Sequence, residues 1–445
     1  MTNTQLQEPG DISRNVSLTA LGNLAYPVVA FATAPILAWV LGADGRGELA
    51  AATAPLMLLI SVAAFGIPES VSYHTASRLI PVRISLPRAL VLLWCTGSGA
   101  IGLTWMVSPL LAAQNDELAT LILVAASALP FSLSVSALRG VAAGMHEWRR
   151  VNTEKYLTAS ARLLGISIPA VTDSLTLPLA VIVMAYSPIV GGFAYVGMRS
   201  KDQVPEGVTN TGPTTKLLKY SVHVWIGAMS GVLLMRMDQL IMLPLAGAVQ
   251  LGMYAVAVNV AELLLIVNNA VRDVMFSADA ADRNDDRIHR AARFNLIVTA
   301  AVAVPIAATA PWWFPFVFGP SFRDAIPVVE VLILATVLGI PGSVAGSALS
   351  ARGRPGLRSK SLIIASGINL LGIVILVPAM GAMGAAFATL VGNVVASNLN
   401  IYWLAKYFGV ASIGFYRIQR TDFVFIARSL RRRLSQKGPG NDQTR

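Results

Sequence analysis

The sequence has few charged residues and almost no cysteine, and both shortages narrow the class of protein. Charged residues make up 13% of the 445 residues, hydrophobic residues make up 55%, and the mean hydropathy is +0.64. Soluble domains carry about 25% charged residues, so a chain of this composition is expected to lie mainly in lipid. The single cysteine, Cys95, excludes an intrachain disulfide and a cysteine-rich metal site.

Motifs that carry catalysis are also missing. There is no Gly-x-x-x-x-Gly-Lys-(Ser/Thr) stretch, so the chain itself is not expected to hydrolyse ATP. The four histidines are scattered without metal-ligand spacing, and nothing resembles a nucleophile elbow. No large external loop offers the paired carboxylates of a membrane glycosyltransferase or ligase. We therefore expect no enzyme activity, no catalytic residues, no metal and no cofactor.

What the chain does contain is a series of twelve apolar segments, most of them about the length of a spanning helix. A polar stretch precedes the first segment without a signal-peptide cleavage site, so this segment is expected to stay as a helix. The sequence predicts an all-α, polytopic membrane protein of about twelve transmembrane helices. The segments are 15–41, 48–73, 89–111, 118–140, 156–172, 177–197, 220–243, 252–275, 292–312, 325–349, 361–378 and 384–404.

Basic residues are concentrated in alternate loops, whereas the opposite set of loops holds only Arg46 and Arg323. The positive-inside rule then predicts that the basic loops and both termini are cytoplasmic, in a bacterial inner membrane. The net charge of +11 indicates membrane orientation rather than nucleic-acid binding. The basic set is Arg78, Arg83, Arg88, Arg149, Arg150, Lys155, Arg199, Lys201, Lys216, Lys219, Arg283, Arg287, Arg290, Arg293, Arg352, Arg354, Arg358 and Lys360.

The two halves of the chain resemble each other at their first hairpins. Residues 41–50 read LGADGRGELA and residues 245–255 read LAGAVQLGMYA, and both end in Gly-x-(Leu/Tyr)-Ala. Six segments per half are typical of transporters built from repeats around a cavity. We predict an N-terminal six-helix lobe over 1–200, a cytoplasmic linker over 201–216, a C-terminal lobe over 217–408 and a basic tail over 409–445. For the tail, an interfacial helix and a disordered anchor are both open.

Polar side chains inside the predicted spans are functional candidates, because a charge at membrane depth costs about 3 kcal/mol or more. Two questions stay open. The polar stripe of the eighth segment either lines a cavity or joins helices. The arginines either face a cavity or snorkel to an interface. The candidates for an anionic substrate are Arg139, Arg162, Arg236, Arg272, Asn23, Tyr26, Asn259 and Asn269, and those for ion coupling are Glu69, Asp238 and Glu262.

With these features, the chain resembles the polysaccharide repeat-unit flippases, which share a superfamily with multidrug-and-toxin (MATE) exporters and lipid II flippases. Residues 38–47, AWVLGADGRG, are similar to the family's Ala-Arg-x-Leu-Gly-x-x-x-x-Gly, and residues 236–242, RMDQLIM, to its Arg-x-Asp-x-x-(Ile/Leu). Two features depart from the pattern. Trp39 replaces the family's arginine, and twelve spans are fewer than the fourteen typical of lipid II flippases.

The resemblance implies a MATE-like fold and a flippase that moves a polyprenyl-pyrophosphate-linked oligosaccharide to the outer leaflet by alternating access. Its implied partners are the lipid-linked glycan, membrane lipids, a coupling ion (proton or sodium) and polysaccharide assembly proteins. The alternatives are a cation-coupled multidrug exporter of the MATE branch, a lipid II flippase and, from another class, a membrane enzyme of glycan assembly.

Overall fold

The fold is helical throughout the residues that a computed structural model describes, which are 9–77, 80–198, 213–417 and 419. The helices are α1 (Pro9–Ala63), α2 (Ile67–Ala76), α3 (Val82–Leu111), α4 (Asp116–Ala126), α5 (Leu129–Gly144), α6 (Trp148–Val171), α7 (Leu177–Gly192), α8 (Pro213–Ala281), α9 (Asp285–Ala308), α10 (Ala310–Phe318), α11 (Ile326–Ala351), α12 (Pro355–Met380) and α13 (Ala382–Phe408). Three short 3-10 segments, Phe193–Tyr195, Pro320–Ala325 and Ser412–Phe415, complete the described elements.

The helices α1 and α8 each contain two spanning helices joined at a glycine. Gly42 has φ 67° and ψ −172°, and Gly247 has φ 82° and ψ 173°. Glycine adopts this region of backbone space without the steric cost that a Cβ imposes. Each long helix is therefore broken into two arms, 9–41 and 43–63 in α1, and 213–246 and 248–281 in α8.

Each of the twelve predicted segments is helical along most of its length, with short turns at 64–66, 127–128 and 309, which confirms a polytopic all-α membrane protein. In the described part of the chain, nine stretches are long and apolar enough to cross a membrane. Two of them contain the glycine breaks of α1 and α8 and so hold two spans each. The charged helix α6 is outside the nine but has 24 residues, which is long enough to span.

Several helices begin earlier than predicted, because their first turns carry charges that lie beyond the apolar run. Arg149 and Arg150, assigned to a loop from the sequence, belong to α6. In α9 the side chain of Asn284 accepts a hydrogen bond from the backbone N–H of Arg287, and this cap starts the helix at Asp285. The helices therefore extend past the hydrocarbon layer at the end that holds these residues.

We call the end with the Gly42 and Gly247 turns the hairpin end, and the end with Arg149, Arg287 and Arg352 the basic end. Large apolar side chains remain exposed along the outside of the helices between the two ends. Exposure reaches 82% for Phe316 and 85% for Val171. Apolar patches of this extent are covered by lipid in a membrane protein.

The two halves of the chain, 9–198 and 213–417, meet at the hairpin end through very small residues. A Cβ on Gly47 would collide with the backbone of Ala248, and a Cβ on Gly252 would collide with the carbonyl oxygen of Ala43. These pairs are equivalent in the two hairpins, so the contact is nearly symmetric. The indole N–H of Trp39 also donates to the carbonyl oxygen of Val317 across the same boundary, at 2.9 Å.

At the basic end, a buried ion-pair network joins α8, α9 and α11. The guanidinium of Arg352 donates from Nε and Nη2 to the carboxylate of Asp279 at 2.8 and 3.1 Å, and from Nη2 to Asp285 at 2.7 Å. Burial alone would lower the pKa of Arg352, but its hydrogen bonds and the two carboxylate charges more than offset this effect and raise the pKa. The network keeps this cation charged and fixes the ends of three helices.

Candidate functional site

A cationic cluster lies where α1, α6 and α8 meet. Arg162 on α6 is 4% exposed, and its Nη1 donates to the hydroxyl oxygen of Tyr26 on α1 at 2.8 Å. The guanidinium carbon also lies 5.2 Å from the centroid of the Tyr26 ring, which adds a cation–π contact. Arg162 therefore points inward among the helices and does not snorkel to an interface.

The two arms of α8 contribute an ion pair to the same region. Nη2 of Arg236, before the Gly247 turn, lies 3.1 Å from Oε1 of Glu262, after it. Tyr26 is within electrostatic range of Arg236, which connects this pair to Arg162. Both side chains of the pair remain about a quarter to a third exposed, at 26% and 30%. They are thus accessible to a polar ligand, unlike a fully buried ion pair.

Arg46 belongs to this cluster, although its place in the sequence predicted a loop residue. The second arm of α1 begins directly after Gly42, so Arg46 stands one turn into a helix, and its side chain is 5% exposed. It lies within electrostatic range of Arg162, and its Nε is buried without a hydrogen-bond partner. The sequence signal that could have located Arg46 is Gly42, because a helix that resumes directly after this glycine includes Arg46.

Asp238 lies in a polar pocket of the C-terminal half, within electrostatic range of Arg236. Its carboxylate is 3% exposed and accepts hydrogen bonds from the hydroxyl of Tyr254 and from the backbone N–H of Gln239. The hydroxyls of Tyr254 and Thr389 are 3.0 Å apart, and the amide of Asn369 donates to Thr389 at 3.4 Å. Arg236 and Asp238 thus have different direct partners, although each lies within electrostatic range of the other.

Asp238, Tyr254 and Thr389 line one side of a cavity of about 310 Å³ between α8, α11, α12 and α13, which we call the C-terminal cavity. Glu262 and Asn269 line the cavity as well, as expected for the polar stripe of the eighth span. A second network joins Asn268, Asn295 and Ser343 beside it, with hydrogen bonds of 2.9 and 2.6 Å. The stripe of the eighth span therefore both lines a cavity and joins helices.

Arg139 lies in the N-terminal half and is held by the carboxylate of Glu154, which was not among the candidates predicted from the sequence. Its Nε and Nη2 donate to Glu154 at 2.8 and 2.9 Å, and the hydroxyl of Tyr195 donates to the same carboxylate at 3.4 Å. Glu154 is 2% exposed, whereas the Arg139 side chain is 42% exposed. Its partner Glu154 is close in space but fifteen residues away in sequence.

The remaining candidates are not brought into either cluster. Glu69 is exposed in the first turn of α2 and makes no hydrogen bond or ion pair among the described residues. The side-chain amide nitrogen of Asn259 is buried without a partner. The side chain of Asn23 lies outside the part of the chain that the structure describes.

Helices of spanning length, an apolar exterior and polar clusters between the helices define a multi-pass helical membrane protein. The model of the polysaccharide biosynthesis protein family matches residues 12–276, which is more than half of the sequence. The chain belongs to this family.

Comparison with a curated relative supports this assignment over part of the chain. The "Probable low-salt glycan biosynthesis flippase Agl15" of Haloferax volcanii is 23% identical over 206 residues, which cover 44% of this chain and 43% of that protein. The chain spans less than half the length of the curated relatives it matches.

Two solved structures share the fold over nearly the whole chain. The lipid II flippase MurJ in an inward closed conformation aligns with a TM-score of 0.69 and 14% identity, covering 96% of this chain and 94% of that one. A multidrug resistance MATE family transporter of the MOP superfamily in an inward-facing conformation gives 0.67 and 16%, covering 86% and 97%. The predicted MATE-like fold is therefore confirmed.

Proposed function

We propose that this protein is a flippase that moves a polyprenyl-pyrophosphate-linked oligosaccharide from the cytoplasmic to the outer leaflet by alternating access. The observation that carries the proposal is the excess of cations in the cluster between the halves. Among the described residues, Arg46 lies within electrostatic range of Arg162, and Arg236 is paired with Glu262 and has Asp238 as the second carboxylate within range, so three arginines face two acids. An anionic ligand offsets the cost of holding these charges at membrane depth. A guanidinium group can also donate two parallel hydrogen bonds to the oxygens of one phosphate.

Tyr26 supports a role for the cluster in sugar or phosphate binding. Its hydroxyl accepts from Arg162, and its ring is 41% exposed, so the residue offers both a polar group and an aromatic face to a ligand. Asn269 and Arg272 line the C-terminal cavity and extend the polar surface toward the basic end. Asn23 and Asn259 stay candidates on the same helices.

Ion coupling is proposed for the acidic residues Asp238, Glu262 and Glu69. A carboxylate in a closing cavity is less costly when it is neutralised by a proton or a cation. Asp238 has the strongest case, because it is buried and accepts its hydrogen bonds from a hydroxyl and a backbone amide rather than from a cation. Glu262 is already paired with Arg236, so substrate binding between them would release its charge for coupling.

In this proposal the two halves act as six-helix lobes, with the basic end and both termini in the cytoplasm of a bacterial inner membrane. The linker from 201 to 216 connects the lobes, and the basic tail, 409–445, is either an interfacial helix on the cytoplasmic leaflet or a disordered anchor. Residues 199–212 and most of the tail lie outside the described part of the chain. Membrane lipids and polysaccharide assembly proteins are the proposed partners.

The cation excess weighs against export of cationic drugs, because such a cluster repels a positive ligand. Arg139 has a weaker case as a substrate ligand than Arg162, because two donors of its guanidinium already bind the carboxylate of Glu154. No residue is proposed for catalysis. The proposal treats the protein as a transporter and not as an enzyme of glycan assembly.

The test is to measure lipid-linked oligosaccharide in a strain that lacks this protein and carries a plasmid-borne variant. The double variant Arg236→Gln, Glu262→Gln removes the cluster's ion pair without changing its net charge, and Arg162→Gln removes a cation. We expect glycan-loaded carrier to accumulate on the cytoplasmic leaflet in the empty strain and in both variants, with surface glycan reduced at least about tenfold. For the variants, the tenfold reduction follows from losing one charge-assisted hydrogen bond, which contributes about 1.5 to 3 kcal/mol.

A matched control is the pair Arg287–Asp282, whose side chains are 35% and 69% exposed near the basic end. The double variant Arg287→Gln, Asp282→Asn should export glycan normally. Unchanged carrier pools and surface glycan in the empty strain would overturn the flippase proposal, and drug sensitivity of that strain would then favour the exporter. Normal export by the cluster variants alone would overturn the site while leaving the flippase proposal intact.

A further inference from the structure

Two arginines at the basic end of the C-terminal cavity form no ion pair with a carboxylate in the described part of the chain. Arg272 on α8 and Arg358 on α12 both line the cavity, and their charges are close enough to repel each other. From the sequence, Arg358 was counted only among the loop residues that set orientation. Like charges brought together in a partly buried place cost free energy, so the arrangement calls for a compensating group.

The hydrogen bonds of the two arginines leave donors unused. Arg272 donates from Nη1 to Asn269 at 3.2 Å, while its Nε is buried without a partner. The acid within its electrostatic range, Asp273, has an exposed side chain. Arg358 has no ion pair within the part of the chain that the structure describes. Arg352, six residues earlier, shows the contrast, because two aspartates bind it.

A glycine makes room for Arg358 to reach the cavity. A Cβ on Gly346 of α11 would lie 3.3 Å from Cδ of Arg358 and 2.9 Å from the amide nitrogen of Asn400. The side chain of Arg358 therefore passes close to α11 at position 346, where a larger side chain would crowd it. Asn400 is itself 4% exposed and lines the same cavity, so it adds an amide to the polar surroundings.

The position of these residues along the helix matches the depth of a phosphate group. At 1.5 Å per residue, Arg272 lies about 37 Å along α8 from Gly247, and the hydrocarbon layer is about 30 Å thick. Arg358 stands in the first turns of α12 at the same end. The cavity above them has both apolar walls, from Leu265, Leu332 and Leu362, and polar groups.

We infer that Arg272 and Arg358 form an anion site for a phosphate or pyrophosphate group at the basic end of the C-terminal cavity, separate from the cluster of Arg162 and Arg236. Two guanidinium groups provide the forked donors that phosphoryl oxygens accept. The inference deepens the proposed function, since the basic end is where a lipid-linked pyrophosphate is loaded in that proposal. Such a site would hold the charged group before it reaches the cluster between the halves.

The test measures binding rather than transport. The purified full chain in phosphatidylcholine nanodiscs is titrated with undecaprenyl pyrophosphate and, separately, with inorganic pyrophosphate, and Kd is read by microscale thermophoresis. We expect Arg358→Gln to weaken binding of the lipid probe about tenfold and the double variant Arg272→Gln, Arg358→Gln to weaken it further. Gly346→Val, which displaces Arg358 without removing a charge, should reproduce the Arg358→Gln effect.

The control is Arg354→Gln, which removes the same charge four residues earlier, where the guanidinium stacks on the ring of Tyr407 at 4.4 Å. Its Kd should equal that of the unmodified protein. Parallel loss with inorganic pyrophosphate would support a site for the free anion, and loss with the lipid probe alone would support a site for a lipid-borne phosphate. Equal Kd values for Arg358→Gln and Arg354→Gln with both probes would overturn the site, while the glycan-export result would still decide the proposed function.

Discussion

A side chain added at Gly252 should push the two halves of the molecule apart at the hairpin end. Gly252 packs directly against the backbone around Ala43, and any Cβ there collides with a carbonyl oxygen that cannot move without shifting the helix. Inserting extra atoms into a packed contact costs about 1 to 3 kcal/mol. At 1.4 kcal/mol per factor of ten, Gly252→Val should disfavour the closed hairpin end by about five- to a hundredfold.

The separation can be measured as a distance between spin labels on the two halves. Glu117 in α4 and Asp324 in the 3-10 segment before α11 are exposed at the hairpin end, and replacing Cys95 by serine leaves only the introduced cysteines. Double electron–electron resonance should show a narrow distribution in the parent protein. In Gly252→Val we expect a second population at longer distance.

Gly99→Val is the control for adding a valine to a spanning helix. A Cβ on Gly99 meets no atom within 4 Å, so its substitution should leave the distances unchanged. If Gly252→Val were folded and monodisperse but gave the parent distribution, the contact would not hold the halves together. The reasoning from the glycine packing would then be wrong.

Further substitutions test other contacts. Arg352→Met should lower the free energy of unfolding in detergent by about 3 to 5 kcal/mol, because it leaves a buried carboxylate unpaired, whereas Arg287→Gln at an exposed pair should cost about 1 kcal/mol or less. Trp39→Phe removes one hydrogen bond across the halves, and the same spin-label measurement should show a smaller shift, from a loss of about 0.5 to 1.5 kcal/mol. Tyr254→Phe should lower the free energy of unfolding by about 1 to 3 kcal/mol, because Asp238 loses a buried donor.

Each of these predictions has a result that would contradict it. Equal losses from Arg352→Met and Arg287→Gln would mean that burial does not set the strength of the basic-end network. A parent-like distance distribution in Trp39→Phe would remove the indole from the contact between the halves. Unchanged stability in Tyr254→Phe would show that the hydroxyl does not help to hold the Asp238 carboxylate.

The helices and their turns could be predicted from the sequence because each is a local signal. Hydrophobic runs of spanning length mark helices whatever surrounds them, and the small-residue turns at Gly42 and Gly247 were visible as a repeat. The ends of α6 and α9 were misplaced, because a helix continues past the lipid boundary into charged turns that hydropathy assigns to loops. At α9, the side-chain cap of Asn284 sets the start of the helix.

The pairing of side chains was less predictable, since it depends on which helices become neighbours. The stripe on the eighth span indicated a polar wall, and Glu262 and Asn269 do line a cavity. Glu154, Arg46 and Arg358 were missed because each looked like an ordinary residue of a charged turn. Which of the candidate residues bind substrate or couple an ion stays a prediction.

The contacts between the halves at the hairpin end have a consequence for how the molecule responds to its medium. Gly47 on Ala248, Gly252 on Ala43 and Trp39 on Val317 involve backbone atoms, small side chains and one neutral hydrogen bond. Salt weakens attraction between charges but not contacts of this kind. The strength of this contact should therefore be the same in dilute buffer and in concentrated salt. A change in the salt around the membrane would therefore leave this end of the protein closed without any adjustment of charge.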